Sequence, residues 1–319
     1  MLKAIVAICT AVSFCGIPHA LAQSYPTKAI RLIAPYPPGG GIDATARVIA
    51  QALTEQLGQQ VLVENRAGAT GRIGTEIVAK APADGYTLLL GSGAPNAVVP
   101  SVTPNLPYDV IKDFAPISLI ATTDYVLLVH PSLPVRSVKQ LIALARSKPG
   151  EVTYGSSGIL SNTHLAGELM KQLAKINMIH VAYKGTGPAM VSVLAGETAV
   201  TFGGGPGAVP HVKAKRLHAL ATTGSKRREA DLPTIGETLP GYSISQWYGL
   251  IAPAKTPATV IDRLHKEVVR AVANPRIAQQ LANLDTDPTT NRPDEFQAFI
   301  KSEIAKWGKV IRGANIKIE

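Results

Sequence analysis

A repeated order of apolar strand, glycine-rich loop and amphipathic helix constrains this sequence more than any other feature. In its first occurrence, an apolar strand is predicted at residues 30–36 and runs into Pro37-Pro38-Gly39-Gly40-Gly41, where no helix can continue. A helix with one apolar face follows and is predicted to stop at Gly58. Strands at residues 61–64 and 86–90 and a helix at residues 73–80 complete this half. The order predicts an α/β fold with parallel strands.

The same order returns in the second half of the chain. Strands are predicted at residues 152–154, 178–183 and 199–202, and helices at residues 163–173 and 188–195. The strands end in glycine loops, among them Gly155-Ser156-Ser157-Gly158 and Gly203-Gly204-Gly205. We therefore expect two lobes built to one plan, each a mainly parallel sheet flanked by helices.

Two segments are predicted to cross between the lobes. A continuous strand at residues 125–130 provides the first crossing, and a second is expected within residues 242–251. Amphipathic helices at residues 262–273 and 294–311 follow, with Trp307 in the core. The expected organisation is a signal peptide at 1–22, a first lobe at 23–124, a second lobe at 125–245 and a return to the first lobe at 246–319.

The N-terminus has the parts of a secretory signal peptide. A positively charged start precedes the almost wholly apolar residues 4–17, and Ala20-Leu21-Ala22 offers small residues before cleavage at Gln23. The alternative is a membrane anchor, but this segment falls short of the roughly 20 apolar residues needed to span a bilayer. Both cysteines, Cys9 and Cys15, lie in the segment to be removed, so the mature chain has no thiol. We expect an exported protein of the bacterial periplasm.

Glycine loops at the carboxyl ends of parallel strands can form an anion site. Ligands of open parallel sheets bind outside these strand ends, where helix N-termini present unpaired N–H groups and a partial positive charge. Residues 39–43 of one lobe and 156–163 of the other would face each other. The second loop also supplies neutral hydroxyl donors that suit a carboxylate: Ser156, Ser157, Ser161 and Thr163. The alternative is that these loops are ordinary turns between strands and helices.

Nucleic-acid and dinucleotide sites have weaker support. The net charge of +10 is spread along the chain and aromatic residues make up only 5% of it, which disfavours a nucleic-acid platform. Gly39, Gly41 and Ala44 match the dinucleotide pattern G-x-G-x-x-A, and Glu64 ends the next strand. The two prolines directly before these glycines, and an exported location without a nicotinamide pool, disfavour that interpretation.

Catalytic and metal-binding signatures are missing from the sequence. It has no G-x-S-x-G elbow, no G-x-x-x-x-G-K-[ST] loop and no H-E-x-x-H motif. His164 and Glu168 lie four residues apart on one predicted helix, where a structural role is favoured over a metal site without further ligands. Asp43 is interpreted as a helix cap, with a general base as the alternative. We expect a binding protein without cofactor, metal or catalytic residues; an exported hydrolase is the enzyme alternative.

Several motifs occur in a fixed order along the mature chain. They are Tyr36-Pro37-Pro38-Gly39-Gly40-Gly41-Ile42-Asp43, Glu64-Asn65-Arg66-Ala67-Gly68-Ala69-Thr70-Gly71, Ala83-Asp84-Gly85-Tyr86-Thr87-Leu88-Leu89, His164-Leu165-Ala166-Gly167-Glu168-Leu169 and Trp247-Tyr248-Gly249-Leu250. These runs resemble the Bug family, the extracytoplasmic receptors of tripartite tricarboxylate transporters. The resemblance implies a two-lobe periplasmic-binding-protein (Venus flytrap) fold that closes on a small ligand.

The resemblance also implies a ligand, partners and binding residues. The ligand would be a small organic carboxylate (a di- or tricarboxylate or an aromatic acid), passed to the integral membrane permease subunits of the transporter. We expect a monomer, and ligand sensing for a membrane sensor kinase stays an alternative to import. The expected ligand-binding residues are Tyr36, Gly39, Gly40, Gly41, Asp43, Ser92, Ser156, Ser157, Ser161, Asn162, Thr163, Tyr183 and Gly203.

Two positions depart from the family pattern. Many relatives have an acidic or amide residue just after the strand at 199–202, facing the distal end of the ligand, where this chain has Gly203-Gly204-Gly205. The ligand is therefore expected to lack an ammonium group. Arg72 replaces an asparagine that is common in relatives, and it is either a second carboxylate clamp or a surface residue.

Overall fold

Strands and helices alternate along both halves of the chain, as the sequence predicted. The computed structural model describes residues 25–183, 185–228 and 230–314. The predicted signal peptide at 1–22 and its cleavage site lie outside these ranges.

The strands and helices have the following bounds. The strands are β1 Ile30–Ala34, β2 Val61–Asn65, β3 Thr87–Ser92, β4 Phe114–Val129, β5 Thr153–Ser156, β6 Ile179–Ala182, β7 Val200–Gly204, β8 His218–Thr222, β9 Ser245–Pro253 and β10 Asp287–Pro288. The helices are α1 Gly41–Leu57, α2 Arg72–Ala79, α3 Val138–Ser147, α4 Asn162–Ala174, α5 Thr186–Leu194, α6 Gly205–Lys213, α7 Ile235–Thr238, α8 Ala258–Val272, α9 Pro275–Asn283 and α10 Pro293–Gly313. Short helical turns cover Ala69–Gly71, Ala94–Val98 and Val99–Ser101.

The sheet contains two parallel groups of strands joined by antiparallel ones. The strands follow the order β2-β1-β3-β9-β4-β7-β5-β6, and β8 and β10 also pair with β4. β1 is parallel to β2 and β3, and β5 is parallel to β6 and β7. β4 and β9 run antiparallel to their neighbours. This is the predicted two-lobe α/β fold, in which each lobe has a parallel group of strands flanked by helices.

β4 passes from one parallel group to the other without a break. Up to Asp124, β4 pairs with β9. From Tyr125 onward it pairs with β7 on one side, and from Val126 it also pairs with β8. β9 begins at Ser245, opposite Asp124, and continues along β3. The two strands form a hydrogen-bonded ribbon between the lobes, which we name the hinge ribbon. We propose lobe boundaries at these positions, near 124/125 and 245/246.

Apolar cores lie on both faces of each parallel group. α1, α8 and α9 pack on one face of the first group, and α10 packs on the other. α3 and α4 pack on one face of the second group, opposite α5 and α6. α10 joins two cores, because Phe296 packs in the first half whereas Trp307 packs in the second. Trp307 is 1% exposed, which confirms its predicted core position.

Predicted and observed bounds differ by a few residues for local reasons. β1 ends at Ala34 rather than at residue 36, since Pro35 has no N–H for the ladder. α8 begins before residue 262, directly after Pro257 at its N-cap. α1 stops at Gly58 as predicted: this glycine has a left-handed φ of 68°, and its N–H donates to the Thr54 carbonyl.

We expect Gly249→Ala to destabilise the fold. A Cβ at this position in β9 would lie 2.2 Å from the buried Phe296 ring and 3.1 Å from the Ser118 carbonyl oxygen. Overpacking of this kind costs about 1–3 kcal/mol. In the control variant Gly187→Ala, the new Cβ on α5 would have no atom within 4 Å. Urea unfolding followed by circular dichroism compares the two; equal free energies of unfolding would contradict this packing.

Candidate ligand-binding cleft

The loop between β1 and α1 builds the first wall of the cleft. Its N-cap residue, Gly40, makes no side-chain cap bond, and the N–H groups of Gly41 and Ile42 in the first turn have no acceptor within the helix. Gly39 has a φ of 85°, and no atom lies within 4 Å of the Cβ that it lacks. The loop leaves space in front of a helix N-terminus, which is the local geometry of an anion site.

Asp43 supports this loop from behind. Its side chain is buried, and Oδ2 accepts hydrogen bonds from the Gly39 N–H at 2.9 Å and from Arg47 Nε at 3.1 Å. Oδ1 accepts from Asn65 Nδ2 at 2.9 Å. These partners, Arg47 foremost, lower the pKa of Asp43 to about 2. The N-cap of α1 is Gly40 rather than Asp43, which lies in the first turn and supports the loop; its expected contact with the ligand stays a prediction.

Hydroxyl groups gather beside the first wall. Ser92, at the end of β3, is fully buried, and its hydroxyl has no hydrogen-bond partner. Tyr36 Oη donates to the Thr70 carbonyl at 3.2 Å. Tyr248 Oη would lie only 2.8 Å from a Cβ on Gly41, so it lies next to the helix start. Burial raises the pKa of both tyrosines, which are therefore neutral donors at neutral pH.

The loop between β5 and α4 builds the second wall. Ser161 caps α4, and its Oγ accepts from the His164 N–H at 3.2 Å. The Thr163 hydroxyl is bonded to the hydroxyls of Ser157 and Ser161 at 2.9 and 3.0 Å. Thr163 is 1% exposed, so this set of hydroxyls holds the loop together. The N–H groups of Asn162 and Thr163 begin α4 and have no acceptor within it.

Two stacked histidines lie behind the second wall. The rings of His164 and His180 are 3.9 Å apart and inclined by 14°. His164 Nδ1 accepts from the Leu160 N–H at 3.1 Å, and His180 Nε2 lies 2.6 Å from Ser156 Oγ. Ser156 is fully buried and supports the loop, and its expected contact with the ligand stays a prediction.

Glu168 lies beside these histidines as part of a paired network. Its Oε1 accepts from Tyr154 Oη and from Lys171 Nζ, both at 2.7 Å, and lies 3.9 Å from His164 Nε2. Within the described part of the chain, no group of three or more His, Cys, Asp or Glu side chains could hold a metal ion. His164 and Glu168 lie within this network of buried polar side chains.

Asn162 and Tyr183 complete the second wall. Asn162 Nδ2 donates to Gln246 Oε1 on the hinge ribbon. Asn162 also lies beside Tyr125, whose pKa is raised to about 12 by burial. Tyr183 is half-buried, and its ring would lie 3.3 Å from a Cβ on Gly155, so it packs against the strand behind the loop.

The structure corrects which glycine at the end of β7 faces open space. A Cβ at Gly203 would lie 2.4 Å from Met190 Cε and 2.8 Å from Leu128 Cδ1, so Gly203 faces a core. At Gly204 no atom of the described residues lies within 4 Å of the missing Cβ, and this residue pairs with Tyr125. Successive residues of a strand face opposite sides of the sheet. The glycine that faces open space is therefore Gly204, one residue after the expected Gly203.

Arg72 is half-buried at the start of α2 rather than fully exposed. Its Nε is buried and has no hydrogen-bond partner. Burial raises the pKa of the neighbouring Tyr108 to about 12, and the charge of Arg72 opposes this effect. The preceding residue, Gly71, packs against the Tyr36 ring. Arg72 therefore lies near the first wall, and its role as a clamp stays a proposal.

The hinge ribbon separates this cleft from a groove of about 1100 Å³ on its other face. Thr122, Asp124 and Ser245 line the groove and alternate along the strands with residues of the cleft side. In the groove, Arg228 Nη2 pairs with Asp287 at 2.9 Å. The start of α1, which has no side-chain cap, lies on the cleft face of the ribbon.

Sequence reasoning missed the residues that the hinge ribbon and the strand behind the second wall contribute. Tyr125, Gln246 and Tyr248 come from crossing strands, and His180 comes from β6. The alternation of side chains along β4 and β9 was a usable signal, since it places Tyr125 and Tyr248 on the cleft side. The contact between His164 and His180 joins residues of separate elements, and spacing along the chain gave no signal for it.

Two parallel groups of strands, a hinge ribbon and facing helix starts define a two-lobe solute-binding protein. The chain belongs to the family described as "Tripartite tricarboxylate transporter family receptor", which it matches over residues 45–316. It is 38% identical over 304 residues to Protein BugT of Bordetella pertussis, covering 93% of each chain. It is 36% identical over 293 residues to a UPF0065 protein from the tcbD-tcbE intergenic region of Pseudomonas sp. (strain P51), covering 91% of this chain and 87% of that protein.

Solved structures agree with the family assignment. An R. palustris protein solved with adipate has a TM-score of 0.78 and 35% identity, covering 92% of this chain and 99% of that one. MatC from Rhodopseudomonas palustris with bound malate has a TM-score of 0.74 and 27% identity, and the match covers 90% of this chain and 100% of that one. The family is one of transporter receptors, which confirms the Bug-type resemblance and the expectation that the chain is not an enzyme. Across residues 25–314, positions 184 and 229 apart, no helix has the length and apolarity of a membrane span.

The stability of the protein should fall as the pH is lowered from 7 to 4.5. Burial, together with His180 and Lys171, lowers the pKa of His164 to about 3, below its ordinary value of 6.5. As the pH falls, His164 is therefore protonated in the unfolded chain before it is protonated in the folded protein. The contribution of His164 to the free energy of unfolding is fully present above pH 6.5 and is lost as the pH falls toward 3, by up to about 1.4 kcal/mol per pH unit.

Urea unfolding at half-unit pH steps measures this dependence. His164→Asn removes one titrating ring and should reduce the slope between pH 6.5 and 5.5, above the midpoints of ordinary carboxylates; His180, whose pKa is also lowered by burial, contributes to the slope that remains. A variant with the wild-type slope would exclude His164 as the source.

Proposed function

We propose that the protein is a periplasmic receptor that captures a small carboxylate between its two lobes and delivers it to a tripartite tricarboxylate transporter permease. The family assignment and relatives solved with adipate and malate support this proposal. Export follows from the predicted signal peptide at residues 1–22. A transporter receptor family favours import over signalling to a sensor kinase.

The facing helix starts are the observation on which the proposal depends. α1 has a glycine N-cap without a side-chain bond, and so have α5 and α6. Each leaves first-turn N–H groups for an external acceptor, and the helix dipole adds a partial positive charge. Asn162 and Thr163 present such groups from α4. A carboxylate bound between α1 and α4 would accept from both lobes and so favour their closure.

The side chains around this position are neutral. Tyr36, Tyr125 and Tyr248 stay protonated because burial raises the pKa of each. Asp43 is the acid nearest the helix start, and its charge is neutralised by Arg47. With glycine at position 204, no carboxylate is available there to pair with an ammonium group. We therefore infer a ligand that has a carboxylate, a second oxygen acceptor and no ammonium group.

A ligand screen tests the proposal. Residues 23–319 are refolded to remove bound ligand, and thermal unfolding is followed with mono- and tricarboxylates, dicarboxylates of increasing length, aromatic acids and amino acids. A ligand at about 100 times its Kd adds roughly 2.7 kcal/mol to the stability of the folded state. Stabilisation by one class of acid supports the proposal and names the class. No shift with any acid would contradict it.

Gly204→Asp should weaken binding of the best dicarboxylate by at least about tenfold, since the new carboxylate would enter a neutral site without a cationic partner. Gly204→Asn has the same shape without the charge and should bind within about threefold of wild type. Isothermal titration calorimetry measures both. Equal affinities for the two variants would place position 204 outside the ligand site.

A further inference from the structure

The loop that ends β5 has a backbone shape that needs support. Gly158 has a φ of 132°, and Leu160 has a φ of 60°, in the left-handed region that a leucine rarely adopts. The loop nevertheless leads directly into α4, whose first-turn N–H groups form the second wall of the cleft. Contacts from outside the loop must therefore favour this conformation.

The histidine pair supplies these contacts at two points. His164 Nδ1 accepts the N–H of Leu160 at 3.1 Å, at the residue with the unfavourable φ. His180 Nε2 is hydrogen-bonded to Ser156 Oγ at 2.6 Å, where the loop leaves the strand. The two rings stack at 3.9 Å, so each limits the rotation of the other. His164 is 4% exposed, and water has little access to compete for its bond with Leu160.

This arrangement requires one particular tautomer of His164. Nδ1 accepts a hydrogen bond from the Leu160 N–H, so the neutral ring carries its own hydrogen on Nε2, which faces Glu168 Oε1 at 3.9 Å. Glu168 in turn accepts from Lys171 and Tyr154. The carboxylate and the stacked ring together fix the orientation of the imidazole.

We propose that His164 and His180 form a clamp: their hydrogen bonds to the Leu160 N–H and the Ser156 hydroxyl hold residues 156–161 in the shape required for ligand binding. Both histidines are positioning residues: they act through the Leu160 N–H and the Ser156 hydroxyl and do not touch the ligand. The inference rests on the proposed function, because it concerns the geometry of the proposed carboxylate site. It assigns a role to two residues that lie behind the cleft.

Two substitutions at one position separate the clamp from simple packing. His164→Asn keeps an acceptor near the place of Nδ1, whereas His164→Leu fills the site but offers no acceptor to Leu160. With adipate and malate as probes in isothermal titration calorimetry, His164→Leu should bind about tenfold more weakly than wild type, and His164→Asn within about threefold. Equal losses for both variants at a temperature where both are folded would overturn the clamp.

Nuclear magnetic resonance of the ligand-free protein tests the clamp independently of any ligand. Histidine ¹⁵N shifts should show His164 as the neutral tautomer protonated on Nε2. Exchange of the Leu160 amide should be about tenfold faster in His164→Leu than in His164→Asn. Protonation on Nδ1, or equal exchange in the two variants, would overturn the clamp. The proposed function fails if neither probe nor any acid of the screen binds the wild-type protein. In that case the exchange of the Leu160 amide still shows whether the histidines hold the loop.

Discussion

Backbone N–H groups that have no acceptor are the constraint on which the cleft depends. The first turn of every helix leaves such groups unpaired, and a polar side chain at the N-cap usually satisfies one of them. Here α1, α5 and α6 have glycine at that position and make no side-chain cap bond. These helices therefore lack the stabilisation that a side-chain cap would give. They begin at the edge of the sheet where ligands of parallel sheets bind, and an external anion can supply the missing acceptors.

Buried polar side chains support the loops of both walls from behind. Asp43 with Arg47 fixes the first loop, and the histidine stack fixes the second. Each group is buried against several partners, so a small shift of the loop would break more than one hydrogen bond. Such loops are held ready before the ligand arrives, which reduces the ordering entropy that binding must overcome.

The sequence predicted the two-lobe fold because hydrophobic periodicity and glycine loops act over short distances. It placed α1 and its stop at Gly58 correctly, and it pointed to the loops that begin at Gly39 and Ser156. It did not predict which side chains face the cleft, because that depends on strand register. A shift by one residue moved the open position from Gly203 to Gly204. Contacts across elements, such as His164 with His180, need the folded chain before they exist.

The continuous hinge ribbon sets how far the lobes can travel. β4 changes its partner from β9 to β7 between Asp124 and Tyr125 but stays one extended strand through the crossing, so rotation of the lobes would have to bend and twist this strand instead of swinging about a loose linker. Paired strands resist large bends, and the gap between the helix starts is then confined to a narrow range. An acid that is too short would leave one wall hydrated, and one that is too long would hold the lobes apart. The receptor would thus select its ligand by molecular length as well as by charge. The preferred length would depend on the backbone of the crossing strand.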